Sequence, residues 1–182
     1  LRIIAGIYKG RKLEVKLPKK DTRKQKGELG YRPTTDFLRE ALFNIIGDDI
    51  KDKDFLDVFA GSGAVGIEAL SRGARSVTFI ESDFENIRVI KKNLAQLNAQ
   101  GDVIKSDAVG FLKRAPYSYD IIFIDPPYFK NLENPCIKEA LSSGVLKKDG
   151  IIILQHHIRV DLETEPYEKR RYKPNALSFY KE

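Results

Sequence analysis

The chain has 182 residues, one cysteine and a formal net charge of +6. That length suits a single domain with a small appendage, and a lone Cys136 excludes both a disulfide framework and a thiolate metal cluster, so it reads as a small helix residue. No apolar run reaches the roughly 18 residues of a membrane span and no signal peptide opens the chain, so a soluble, cytoplasmic protein without a membrane partner is expected.

The positive charge is all N-terminal: residues 1–39 hold 12 Lys/Arg against 4 Asp/Glu, and residues 40–182 hold 20 against 22. A basic arm on a near-neutral domain points to a polyanion, most simply nucleic acid. The opening Arg2 to Val15 alternates around Gly6 and Gly10, which predicts a short hairpin with a basic outer face. Lys19 to Gly27 has no apolar period and reads as a loop. At Arg32-Pro33-Thr34-Thr35-Asp36 the proline extends its predecessor, and a Thr/Asp cap leads into a helix over Phe37 to Ile46. Leu38, Ala41, Leu42, Ile45 and Ile46 form its apolar stripe, leaving Arg39 off that face.

From residue 55 strands and helices alternate, the pattern of a parallel sheet covered on both faces. Strands are predicted over Phe55–Ala60, Ser76–Glu81, Val103–Lys105, Tyr119–Asp125 and Gly150–Gln155. Helices are predicted over Ala64–Arg72, Phe84–Leu97, Ala108–Arg114 and Leu132–Ser143. Tyr167–Tyr172, a Lys173-Pro174-Asn175 turn and Ala176–Lys181 predict a terminal antiparallel hairpin. The divisions expected are a basic extension over 1–33 and a main domain over 34–182.

The first strand-to-helix turn, Asp57-Val58-Phe59-Ala60-Gly61-Ser62-Gly63-Ala64-Val65-Gly66, contains G-x-G-x-x-G. Glycines there let the backbone turn tightly and approach a ligand at a helix N-terminus, and Glu81, ending the next strand, is placed to accept from a ribose diol. An NAD fingerprint and an S-adenosylmethionine (AdoMet) site share this logic. AdoMet is favoured because the turn resembles methyltransferase motif I, and because the third strand ends at Ser106-Asp107-Ala108, where methyltransferases place a side chain against the adenine. A hydride-transfer enzyme would also need a substrate domain that this length lacks.

The fourth strand, Tyr119-Asp120-Ile121-Ile122-Phe123-Ile124, closes on Asp125-Pro126-Pro127-Tyr128. Two prolines forbid helix and ladder pairing, so a carboxylate and an aromatic ring stand on a stiff turn at a strand's C-terminal end. This motif looks like that of methyltransferases acting on exocyclic base amines, whose lone pair is delocalised into the ring. Acceptors at the Asp125 carboxylate and the Pro126 carbonyl would align that lone pair, and Tyr128 offers a ring for an extruded base.

Arg2-Ile3-Ile4-Ala5-Gly6, Gly10-Arg11-Lys12-Leu13, Arg32 to Asp36, Arg39 to Asn44, and Asp57 to Gly66 with Glu68 to Ala74 closely resemble the bacterial 16S rRNA guanine-N2 methyltransferases. The resemblance implies a Rossmann-like class I α/β fold: a mostly parallel seven-stranded sheet with helices on both faces, plus a small N-terminal hairpin and helix. It implies a monomer using AdoMet on 16S rRNA in the small subunit or its assembly intermediate. The catalytic residues implied are Asp125, Pro126 and Tyr128. The cofactor residues are Asp57, Phe59, Gly61, Ser62, Gly63, Glu81, Ser82, Asp107, Ala108 and Asp125, with Arg32, Thr34 and Thr35 over the methionine end. Arg2, Lys9, Arg11, Lys12 and Arg39 would touch RNA, the basic hairpin lying beside the active site.

Two departures stand out. The basic loop at 19–30 is longer than the family's usual link, and Gln155, His156 and His157 stand where the family commonly carries Glu. Alternate pleat faces keep the two histidines from ligating jointly, so no metal is expected. The alternatives are an adenine-N6 methyltransferase on DNA or RNA, a glutamine-modifying enzyme, which usually has Asn in place of Asp125, and a non-catalytic RNA-binding module.

Overall fold

In the computed structural model, which describes residues 1–16, 36–128 and 130–181, five α-helices and seven strands follow the expected alternation. The order is α1 (Asp36–Ile46), β1 (Asp54–Val58), α2 (Ala64–Ser71), β2 (Ser76–Glu81), α3 (Phe84–Leu97), β3 (Asp102–Lys105), α4 (Ala108–Arg114), β4 (Tyr119–Ile124), α5 (Glu133–Ser142), β5 (Leu146–His157), β6 (Glu168–Tyr172) and β7 (Asn175–Tyr180). One sheet runs β3-β2-β1-β4-β5-β7-β6, parallel from β3 to β5 and antiparallel through the terminal hairpin. The chain reverses its direction of winding between β1 and β4, which opens a crevice at the strands' C-terminal ends.

Period-2 alternation divides the core. Phe55, Ile121, Phe123, Ile153, Leu177 and Phe179 face α1, α2 and α3, while Leu56, Val58, Ile122, Ile124, Ile152 and Leu154 face α4 and α5. The central strands are apolar on both sides because helices cover both sides. Gly66 is required by this packing: a Cβ there would lie 2.3 Å from the Phe79 ring, so α2 could not approach β2. Among the described residues, no helix is long and apolar enough to cross a membrane.

Three local readings differ. β5 begins at Leu146, because Leu146 already pairs with Tyr119 of β4 ahead of a register shift, so Lys147 to Gly150, a turn by composition, falls within the strand's span. The buried stripe of α1 is Leu38, Arg39, Leu42, Phe43 and Ile46, rotated from the expected one. Its cause is Arg39, which is fully buried; it donates to the Arg2 carbonyl and to Asp36 Oδ1 (3.1 Å), and its Nε lies 3.7 Å from Glu68 Oε2. Burial lowers the Arg39 pKa, opposed by Asp36 and Glu68. Arg39 is therefore a structural residue, and the expectation that it contacts RNA is corrected.

The N-terminal turn is a hairpin with a single bridge, Arg2 to Lys12. Its basic side chains are exposed as expected, but its position is not the expected one. Ile7 N and Tyr8 N donate to Ser71 O (2.8 Å) and Ser71 Oγ (3.0 Å), and Arg11 donates to Gln96 O (3.0 Å). These anchors are the last turns of α2 and α3. The tip carrying Lys9 and Arg11 thus lies about 20 Å, the length of α3, from the strands' C-terminal ends. It is not beside the catalytic face. The chain then runs back along α3, Glu14 N donating to Asn93 Oδ1 (2.8 Å) and Lys16 pairing with Asp83 (2.9 Å).

Candidate active site

The C-terminal ends of β1 to β5 enclose a cavity of about 620 Å³, a size suited to a nucleoside-type ligand. Its adenosine-type half is built by β1, β2 and β3. Phe59 (φ 64°), Gly61 (φ 57°) and Gly63 (φ 78°) all take left-handed backbone, so the loop folds back on itself before α2. Two of the three are glycines for that reason; Phe59 is held there against its steric preference, at the cavity wall. Gly61 N donates to Glu81 Oε2 (2.9 Å), and Ser82 N and Asp83 N donate to Glu81 Oε1 (2.8 and 2.9 Å). Asn86 Nδ2 reaches the same carboxylate at 3.3 Å. Glu81 is thereby fixed at the cavity edge.

Asp57, Phe59, Gly61, Ser62, Glu81, Ser82, Asp107, Ala108, Asp125, Pro126 and Tyr128, all expected from sequence, line this one cavity. Gly63 does not: it is the N-cap of α2, and a Cβ there would press Ile90 of α3 at 3.2 Å. It serves the turn and the helix packing behind it. Asp107 caps α4 by accepting from Gly110 N (2.7 Å), leaving its second carboxylate oxygen outside that bond. Arg32, Thr34, Thr35 and the loop at 19–30 lie outside the described residues.

Four carboxylates, Asp57, Glu81, Asp107 and Asp125, line this space. Asp57 is buried and accepts from Gly66 N at 2.8 Å. Burial pushes its carboxyl up to about 7, the charges of Asp125 and Glu81 add to this, and the Gly66 hydrogen bond opposes it. Such a cavity favours a cationic ligand.

The acceptor half lies over β4 and β5. Pro126 is buried, and Tyr128 donates to Asn175 Oδ1 (2.5 Å) with its ring edge-on to His157, centroids 6.2 Å apart. His156 lies on the opposite face, its ring nitrogens 2.9 Å from His157 O and from Ser178 Oγ. Burial lowers its pKa. Among the described residues no three His, Cys, Asp or Glu side chains cluster as metal ligands.

The model of the family described as Conserved hypothetical protein 95 matches residues 1–181. The chain belongs to that family. It is 40% identical to ribosomal RNA small subunit methyltransferase D of Escherichia coli over 91% of this chain and 79% of that one. To the protein of the same name from Haemophilus influenzae it is 38% identical, over 85% and 78%. The structure of a hypothetical protein from Thermus thermophilus superposes with a TM-score of 0.82 at 31% identity, covering 100% and 99%. A more distant neighbour, a T. thermophilus 16S rRNA N2 G1207 methyltransferase solved with AdoMet and guanosine, shares the fold at TM-score 0.68 and 20% identity, covering 85% and 44%. The fold is that of the class I methyltransferases, as expected.

Sequence reasoning missed several groups. Asn86 and Lys130 line the cavity, yet nothing local distinguishes them from other polar residues at element ends; Gln155, noted only as a departure from the family's Glu, lines it too. Ile158 N donates to Pro174 O (3.0 Å), which sets the β6–β7 turn against the end of β5, next to Asn175 and so to Tyr128. Exposed Lys130, Arg159 and Lys173 therefore stand around the acceptor half, without ion pairs among the described residues, while Arg171, paired with Ala176, lies on the His156 face. The acidic Asp161 and Glu163 lie to one side, bound through their backbones to Asn134 of α5.

Proposed function

We propose that the chain transfers a methyl group from AdoMet to the exocyclic N2 amine of a guanine in 16S rRNA, as a cytoplasmic monomer acting on the small subunit or its assembly intermediate. In this reading residues 1–33 are a basic extension and 34–182 the methyltransferase domain. The observation that carries it is the convergence of Asp125-Pro126-Pro127-Tyr128 with the Asp57–Gly66 loop, Glu81 and Asp107 on one cavity. The names of the Escherichia coli and Haemophilus influenzae relatives support an rRNA substrate.

Glu81 would accept from the cofactor's ribose, Asp107 would face its adenine, and Asp57, Glu81 and Asp125 would balance its positive charge. Bound AdoMet supplies an electrophilic methyl group on a sulfonium. The Asp125 carboxylate and Pro126 carbonyl would accept the two N–H bonds of the amine, so its lone pair leaves conjugation and points toward the cofactor half, and the Asp125 carboxylate would take the proton that the nitrogen gives up as it gains the methyl group. Pro127 has no N–H to compete for that carbonyl. The Tyr128 ring, tethered by Asn175, supports the extruded base. Methyl incorporation from labelled AdoMet into undermethylated small subunits tests this; binding of AdoMet without incorporation would contradict it.

Asp57 gives a pH signature. A cation bound beside a carboxyl of pKa about 7 draws that pKa down, so near neutral pH binding releases a proton and affinity rises with pH until Asp57 is ionised in the free protein. Calorimetry in two buffers of different ionisation heat should give different apparent enthalpies, and Asp57→Asn should remove the difference. Equal enthalpies for the unaltered protein would count against the arrangement.

The phosphates flanking the base are held by Lys130, Arg159 and Lys173, with Arg2, Lys9, Arg11 and Lys12 serving RNA farther from the target. Replacing the first three by alanine should flatten the salt dependence of RNA binding, each lost phosphate contact removing roughly 0.7 to 0.9 from the log-log slope. The Lys9→Ala, Arg11→Ala pair should change it less; the reverse order would place the RNA on the other end of α3.

A further inference from the structure

Gln155 is 4% exposed, lines the cavity, and its Oε1 has no hydrogen-bond partner. Buried polar atoms are almost always paired, so an unpaired acceptor in a cavity wall marks a place where a ligand brings a donor. The register identifies which part of the ligand. Ile124 pairs with Leu154 in parallel strands, so the next positions, Asp125 and Gln155, are neighbours about 5 Å apart. Both follow the alternation of Phe123 and Ile153 and stand on the same face. The cofactor half lies on the other side of Asp125, over β1, β2 and β3. Gln155 therefore flanks Asp125 on the side where the methyl acceptor enters.

We propose that Gln155 is a specificity-determining residue that accepts the ring N1–H of the target base, so that the site takes guanine and disfavours a base whose amine adjoins a bare ring nitrogen. This rests on the base-methylating reading above. When Asp125 and Pro126 hold the amine, the atom beside it differs between bases. Guanine presents N1–H next to N2, a donor that Oε1 lacks. Adenine presents an unprotonated N1 next to N6, which would set two acceptors against each other or turn the amide over to present Nε2 in place of Oε1. The same contact orients guanine, since N3, on the other flank of N2, is also a bare acceptor. Asp125 alone cannot make this distinction, because it meets only the amine.

The test uses small subunits reconstituted with guanine or with 2-aminopurine at the methylated position. 2-Aminopurine keeps the 2-amine but has no N1–H. The unaltered protein is expected to prefer guanine by about a hundredfold in kcat/KM. Gln155→Leu should reduce the preference to within about threefold, by losing activity on guanine, with AdoMet affinity unchanged. Gln155→Glu, which can only accept, should keep the preference and shows that folding of the variant set is intact. A Gln155→Leu protein retaining the full preference would overturn the assignment. If the unaltered protein binds AdoMet but methylates neither subunit, the functional reading itself falls, a result distinct from loss of discrimination alone.

Discussion

Asp125→Ala is expected to bind AdoMet within a few-fold of the unaltered protein while methyl transfer falls roughly a hundredfold to a thousandfold. The cofactor's holders are Glu81, Asp107 and the Asp57–Gly66 loop, whose carboxylates are held by the backbone N–H groups of Gly61, Gly110 and Gly66. Asp125 raises the Asp57 pKa by its charge, so its removal makes Asp57 easier to ionise and offsets part of the lost attraction for a cation. The amine loses the acceptor that draws its lone pair out of conjugation, and that loss falls on the chemical step. Asp125→Asn should lie between, since an amide offers one acceptor and confronts the amine with its own N–H groups. Paired calorimetry and single-turnover transfer separate the two effects; near-normal turnover by the alanine variant would remove Asp125 from the mechanism.

Glu68→Ala is expected to destabilise the protein by about 3 to 5 kcal/mol, the range for breaking a buried ion pair by removing one partner. Glu68 is fully buried and accepts from Ile4 N (2.8 Å), Ala5 N (3.0 Å) and Arg72 Nε (2.8 Å), with Arg39 Nε at 3.7 Å. Truncation leaves the buried Arg39 without that carboxylate and two backbone N–H groups without acceptors. It also unfastens the N-terminal hairpin from α2. Glu68→Gln keeps an acceptor and should cost less. Urea unfolding decides the matter, and a loss below about 1 kcal/mol would mean that water replaces the carboxylate.

Local chemistry explains which parts of this structure were legible beforehand. β2, α3 and α4 were read to the residue because Asp83 and Asp107 mark the helix starts by capping them and β2 is a run of β-branched and aromatic residues. The cavity could be anticipated because Asp57, Glu81, Asp107 and Asp125 each end a strand or cap the helix after it. Arg39 could not: its burial depends on Glu68 and Arg2, distant in sequence, and an arginine on a helix otherwise reads as solvated. The position of the basic hairpin was hidden for the same reason, its anchors Ser71 and Gln96 being the far ends of helices whose near ends form the site. Gln155 was visible only as a departure from a family pattern; its unpaired oxygen becomes evident once β4 and β5 are in register.

The central claim is that this cavity methylates a guanine N2 amine. Small subunits lacking the modification, incubated with the protein and labelled AdoMet and then digested to nucleosides, test it directly. The label is predicted in N2-methylguanosine of the 16S rRNA and to vanish with Asp125→Ala; label in N6-methyladenosine would contradict it.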